Sequence, residues 1–246
     1  MATSSEFIWR RFHSLMGLWL VLYLTYHLLV NSQAALLFGG DASGFVRMVN
    51  TLESLPYLHF VEALFIGVPL VGHGVWGVKR ALEAKTNRLP YERNRAFGWQ
   101  RVTSWILLVG VVGHVVQMRF VYQPRVDKQG KYWVGVTADE KLGGIAEKLG
   151  AEVSPMQDGK VRVISSTPGP AMLFMVRDTF KSGWMRALYT VFVVSAGFHA
   201  FNGFWTALIT WGAILSYRSQ RAMIPVGWVG ALVLSLLGLA AIWGSR

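Results

Sequence analysis

No cysteine occurs in the 246 residues, and that absence removes disulfides, an iron–sulfur cluster held by this chain and thioether-attached haem. Any electrons the chain handles must therefore come from partner subunits. Charge is scarce as well: 15% of residues are Asp, Glu, Lys or Arg, against 53% hydrophobic, and the mean hydropathy is +0.38. That leaves too little polar surface to cover a water-soluble globule, so the composition is that of a membrane protein. Acidic residues are the rarer charge, 13 against 24 basic, which gives a net charge of +11. The basic residues fall in loops beside apolar runs, where they set topology and contact lipid, so no nucleic-acid partner is expected. Internal repeats and low-complexity tracts are missing too, and residues 1–246 read as a single membrane domain.

What the chain has is apolar runs. Five spans, at about 11–30, 58–79, 99–120, 184–207 and 224–243, are each near the roughly 20 residues that a hydrocarbon core of about 30 Å requires. Backbone groups in lipid must be satisfied within the segment, so the spans are helices and the expected fold is an all-α membrane protein, a five-helix bundle. Many of the 11 Trp, 14 Phe and 8 Tyr lie near the ends of these runs, as interfacial anchors do. Pro69 should kink the second span. Arg10–Arg11 ahead of an apolar run, with SQA at 32–34, imitates a signal peptide. The run from Phe12 to Val30 is long for that role, and cleavage would discard His27, so the segment is read as retained.

Loop charge predicts orientation. The connection between the second and third spans carries Lys79, Arg80, Lys85, Arg88, Arg93, Arg95 and Arg101, whereas the first connection has Arg47 alone. The positive-inside rule then puts the N-terminus in the cytoplasm and the C-terminus outside. The connection at 123–170 is polar, with KYWVGV and KVRVIS alternating like short strands and ADEKLGGIAEKLG between them patterned as a helix. It predicts a small α+β lobe inserted on the outer side between the third and fourth spans, with Asp178 to Lys181 along the interface.

Four spans each carry a deep histidine. His27 lies 16 residues after Arg11 and His114 lies 15 after Trp99, both on helices running outward; His73 lies 15 after Leu58 and His199 lies 15 after Trp184, both on helices running inward. They sort into an outer pair, His27 with His114, and an inner pair, His73 with His199. At about 1.5 Å rise per residue the two levels should lie ~12–18 Å apart. A low-spin haem needs two strong-field ligands on opposite faces, which neutral imidazoles supply, so the pattern predicts two stacked haems with these four residues on the irons. Without a C-x-x-C-H segment they would be haem b. A lone histidine in a membrane helix more often serves helix–helix hydrogen bonding or a proton path. Four on separate helices, matched in depth by pairs, favour haem. Gly72, Gly74, Gly113 and Gly197 beside them suit close approach of a flat macrocycle, although glycine also serves plain helix packing.

Other polar residues near the spans are more ambiguous. His13 and His59 sit near span starts, where an interfacial or capping role is the plainer reading. The alternative for His13 with Ser14, and for Arg11, Gln100 and Arg101, is to hold inner haem propionates. Glu62, a turn into the second span, needs a partner or water. Glu53 lies at the outer surface and is a candidate for proton exchange with a quinone; a solvated interfacial charge is the equal alternative for both.

The segments RRFHSLMGLWLVLYLTYHLLVN, ESLPYLHFVEALFIGVPLVGHGVWG, WQRVTSWILLVGVVGHVVQ and FHAFNGFWTALITWGAILSYRSQR resemble, in order and spacing, the single-chain di-haem cytochrome b anchor of bacterial succinate dehydrogenase and the related quinol:fumarate reductases. The resemblance runs through most of 8–122 and 184–243. It implies a multi-pass subunit of the bacterial cytoplasmic membrane, with a flavoprotein (FAD) subunit and an iron–sulfur subunit docked on the cytoplasmic face and an oligomer of the whole complex conceivable. Electrons would pass by the inner haem and then the outer haem to a quinone, menaquinone first of all. It also implies an acidic quinone-site residue before the second helix, a place Glu53 occupies in ESLP. The lobe at 123–170 departs from compact members. Two competing readings are a haem b subunit of a membrane hydrogenase or formate dehydrogenase and a histidine-relay proton-coupled transporter; FHAFNGFW and SYRSQR argue against the first, and the lack of evident inverted repeats against the second.

Overall fold

The computed structural model describes residues 4–36, 40–83, 92–157 and 159–245. Lys85 and Arg88 of the basic connection lie outside the described residues, and so does the side chain of Arg93. The chain is mostly helical. Among the described residues five helices are long and apolar enough to cross a membrane: α1 (Ser4–Ser32), α3 (Leu58–Glu83), α4 (Glu92–Val115, continued by a π-helical segment Val116–Val121), α7 (Gly183–Thr210) and α8 (Tyr217–Gly244). Their outward faces are apolar, with Val71 64%, Val75 68% and Val109 74% exposed, a surface that needs lipid rather than water around it.

The described chain forms two compact units. The first comprises residues 1–26, 59–110 and 192–236. Within it α7 contributes the most buried positions, among them Val193, Ser195, Gly197, Ala200 and Trp205. A Cβ on Gly197 would lie 2.6 Å from Ser235 Oγ and 2.7 Å from the Ala231 carbonyl, so glycine is what allows α7 and α8 to touch backbone to backbone here. Trp9 stacks on Trp76 at 5.5 Å and the Met16 sulfur packs against Gly72, joining α1 to α3.

Pro69 acts through the backbone group it leaves unmatched. Having no N–H, it cannot donate to the Phe65 carbonyl one turn earlier. The helix answers in two ways: Ala63–Gly67 shifts into π register, and Trp19 of α1 donates its Nε1–H to the Phe65 carbonyl at 2.5 Å. An indole from a neighbouring helix thus replaces the lost intrahelical bond, as a bundle in lipid requires.

The second unit comprises residues 27–58, 111–191 and 237–246. Its sheet has the order β1-β2-β4-β3, from β1 (Arg125–Val126), β2 (Tyr132–Thr137), β3 (Glu152–Pro155) and β4 (Lys160–Ser165). The two strands read from alternation are the central antiparallel pair, in register Tyr132↔Ser165 to Thr137↔Lys160. Helix α5 (Leu142–Lys148) falls where the pattern placed one.

Two helices were not foreseen. In α2 (Ser43–Glu53), Phe45, Val46 and Val49 are buried on one face. Helix α6 (Pro168–Thr179) opens on Pro-Gly-Pro, and proline fits the first turn because its missing N–H would have been unsatisfied anyway. The cap comes from far along the chain: Asn50 of α2 accepts the Gly169 N–H at 2.8 Å and donates to Thr167 Oγ1 at 3.2 Å.

On the other side of α6, Arg177 is 3% exposed and donates NH1 to the Ser245 carbonyl at 2.5 Å, while its NH2 lies 3.5 Å from Asp139. Lys181 pairs with Asp139 at 2.8 Å and donates to the Thr137 carbonyl, and Asp178 accepts the Thr137 N–H at 2.9 Å. These groups tie α6, β2 and the end of α8 together. Burial alone would raise the Asp139 carboxyl, but Lys181 and Arg177 outweigh it and hold the group below its ordinary range.

A depressed carboxylate stabilises the fold above its unfolded pKa of about 4 and loses that contribution as pH falls through the lower folded value. Asp139→Asn should therefore weaken the lobe by roughly 1–3 kcal/mol at pH 7 through the stranded guanidinium and flatten its acid denaturation below pH ~4, followed by tryptophan fluorescence. Trp19→Phe should cost about 1–3 kcal/mol through the Phe65 carbonyl, read as a lowered Tm of the detergent-purified protein with the lobe's acid profile unchanged.

Candidate functional site

The structure brings the four deep histidines together two by two. In the first unit the rings of His73 (α3) and His199 (α7) have centroids 6.3 Å apart and planes at 82°. In the second unit those of His27 (α1) and His114 (α4) are 5.8 Å apart at 84°. Two imidazoles that share one metal through Nε2, each at about 2.0 Å from it and with about 1.1 Å from nitrogen to ring centre, have centres roughly 6.2 Å apart. The His73/His199 couple has that separation, and the His27/His114 couple would open by roughly 0.4 Å to reach it. Among the described residues no three His, Asp or Glu side chains gather in one metal-sized cluster.

Hydrogen bonds at the remote nitrogens decide which nitrogen carries the proton. His73 Nδ1 lies 3.2 Å from the His13 carbonyl, which can only accept, so Nδ1 donates and Nε2 keeps its lone pair. His199 Nδ1 lies 3.4 Å from Thr103 Oγ1, whose own proton goes to the Trp99 carbonyl at 2.8 Å or to that of Gln100 at 3.1 Å; the hydroxyl therefore accepts from Nδ1. His114 Nδ1 lies 3.2 Å from Tyr189 Oη, which donates to Gln117 Oε1 at 3.0 Å and so accepts from the imidazole. Asn31 donates to the His27 carbonyl at 2.8 Å and lies 3.4 Å from His27 Nε2, which accepts there. His73, His199 and His114 thus donate through Nδ1 and keep the lone pair on Nε2, the form a metal ligand needs, while the Nε2 of His27 faces the Asn31 amide of its own helix. Gly17 makes the first couple possible, since a Cβ there would lie 3.0 Å from the His73 ring. Gly197, read from the sequence as room beside His199, serves the α7–α8 crossing instead.

The residues considered for anionic side groups all lie in the first unit. His13 stacks on His73 at 4.1 Å and 8°, with its buried Nε2 unpartnered. Arg11 spreads over Phe7 at 4.4 Å and Trp211 at 5.2 Å, and its buried Nε also lacks a partner. Ser14 accepts the Trp211 Nε1–H at 3.2 Å. Gln100 donates to the His199 carbonyl at 3.2 Å and accepts from Asn202 at 2.8 Å, while Arg101 donates to the Ala81 carbonyl at 2.9 Å and lies over Phe97. The orphaned Nε–H of Arg11 is a donor that an anionic ring substituent would satisfy, and the unpartnered Nε2 of His13, stacked on His73, is open to the same use when it carries the proton.

Glu53 ends α2 in the second unit, half-buried, with no hydrogen bond or ion pair among the described residues. Glu62 has an imidazole within reach, His59 Nδ1 at 3.6 Å one turn earlier. Sequence reasoning missed Thr103, Tyr189, Gln117 and Asn31. Hydroxyls and amides are common in membrane helices, and only tertiary contact marks Thr103, Tyr189 and Gln117 as partners; Asn31, one turn after His27 on the same helix, was readable from its i,i+4 spacing.

No family model matches the chain. The chain is 34% identical, over 99% of its own length and 98% of the relative's, to the succinate dehydrogenase cytochrome b558 subunit of Bacillus subtilis (strain 168). Identity of that extent across essentially the whole of both chains, lobe included, means that this multi-pass membrane protein belongs to the family of succinate dehydrogenase cytochrome b558 subunits.

Proposed function

We propose that the chain is the membrane anchor of a succinate:menaquinone oxidoreductase, binding two haems b, one between His73 and His199 and the other between His27 and His114. Each haem, when bound, would supply a one-electron carrier between an iron–sulfur subunit and a quinone. The observation that carries this reading is the pair of imidazole couples, each at a centre-to-centre spacing that suits a shared iron, with His73, His199 and His114 donating through Nδ1. The relative's name supports the same reading, since it is both a succinate dehydrogenase subunit and a cytochrome b.

The protein's own part is binding and orientation. His73 and His199 are held by a carbonyl of α1 and a hydroxyl of α4, so neither ring can rotate without breaking its bond. Arg11, His13, Ser14, Gln100 and Arg101 are proposed to receive the propionates of the haem at His73/His199. The positive-inside argument puts that couple toward the cytoplasm, where flavoprotein and iron–sulfur subunits would dock, and the lobe and the His27/His114 couple toward the outer face. Glu53 is proposed as the carboxylate that exchanges protons with a quinone there.

The absorption spectrum of the purified complex tests the reading, and a colourless protein removes it. His73→Ala should abolish one of the two haem b signals and succinate-driven quinone reduction, while succinate oxidation by a soluble artificial acceptor persists; loss of the other haem alone would show the assignment of ligands to be wrong. For Glu53→Gln the expectation is quinone turnover reduced about 10–100-fold with both haem spectra intact, and unchanged turnover takes Glu53 out of the site.

A further inference from the structure

The two couples are anchored by different chemistry. In the first, His73 ends on a backbone carbonyl and His199 on a threonine hydroxyl at 3.4 Å, whose proton is kept by carbonyls of its own helix. In the second, His114 meets a phenol at 3.2 Å, the same distance at which His73 meets its carbonyl, but here the contact continues. Tyr189 donates to Gln117 Oε1 at 3.0 Å, and the Gln117 amide in turn lies 3.9 Å from the Met185 sulfur. Phe180 packs edge-on against the Tyr189 ring at 5.2 Å and fixes it. Gln117 belongs to the π-helical segment Val116–Val121, whose wider register turns the residues after His114 about the helix axis. Two helices therefore build a directed chain, imidazole N–H to phenol O–H to amide oxygen.

Direction matters in such a chain. A phenol that gives its proton to an amide oxygen holds a more electron-rich lone pair toward the imidazole, because successive hydrogen bonds polarise one another. An imidazole that donates strongly through Nδ1 gains anionic character at Nε2 and favours the oxidised state of a metal bound there.

We infer that Tyr189 and Gln117 form a tuning relay that, through the Nδ1–H of His114, lowers the reduction potential of the haem held by His27 and His114. This rests on the two-haem reading above. Tyr189 acts here as a positioning residue: it touches neither iron nor quinone, and its effect is carried by one ring nitrogen. The consequence is a haem that passes its electron on more readily than its ligands alone would make it.

The test is a redox titration of both haems, followed by absorption and by the low-spin electron paramagnetic resonance signals, in the intact purified complex. Tyr189→Phe keeps the ring and its packing and removes the acceptor. The expected result is an upward shift of one haem by roughly threefold to tenfold in its oxidised-to-reduced equilibrium, ~28–59 mV for a one-electron couple, with an altered low-spin signal for that haem alone. Gln117→Leu, which leaves His114 and Tyr189 in place, should move the same haem upward by less and stands in should the tyrosine variant not assemble. Thr103→Val should leave this haem unmoved. Both haems at wild-type potentials in Tyr189→Phe, or in Gln117→Leu, would overturn the relay while leaving the two-haem reading in place. A wild-type complex without haem would instead remove the reading beneath it.

Discussion

A hydrogen bond on one nitrogen of an imidazole decides what the other nitrogen can do, and the candidate site depends on that constraint. Three of the four deep histidines have an Nδ1 partner whose own bonding leaves it one role. The His13 carbonyl can only accept, and Thr103 and Tyr189 have their protons committed elsewhere. The outcome is two couples of imidazole rings in which His73, His199 and His114 keep the lone pair on Nε2. In water such tautomers exchange freely. Inside a membrane protein an imidazole turned away from its partner would leave two polar groups unmatched, so the arrangement is held by the cost of the alternatives.

The cost of an unmatched backbone group where water is absent also shapes the helices. Pro69 strands a carbonyl, and the structure resolves this with a π segment and an indole from α1. A second π segment follows His114 and carries Gln117. In the lobe a similar cost falls on charge: Arg177 is buried only because the Ser245 carbonyl and Asp139 meet it, and Lys181 then holds Asp139 in place. Family membership, shown by identity across nearly the whole length of both chains, agrees with this picture of a lipid-facing exterior over a polar, hydrogen-bonded site.

Much of the scaffold was legible because its signals are one-dimensional. A run of about 20 apolar residues is a span whatever its neighbours do. Alternation placed β2 and β4, and the fixed rise of a helix turned residue counts into depth, grouping His27 with His114 and His73 with His199, the couples the structure brings together. Two helices were missed. The cap of helix α6, Asn50, lies more than a hundred residues earlier, so nothing near Pro168 announces the start. Helix α2 is amphipathic, with Phe45, Val46 and Val49 on one face, but it lies in a stretch read only as the connection between two spans.

Composition and periodicity by themselves determined that this is a membrane protein with five spans, a polar lobe and four deep histidines on separate helices, since hydropathy and helical rise are properties of the local chain. Only the tertiary structure decided the Nδ1 partners of His73, His114 and His199, the replacement donor for the Phe65 carbonyl and the relay from His114 through Tyr189 to Gln117. Each of these rests on contacts between residues 46 to 96 positions apart. No local pattern encodes which hydroxyl or carbonyl a folded chain will bring to a particular nitrogen.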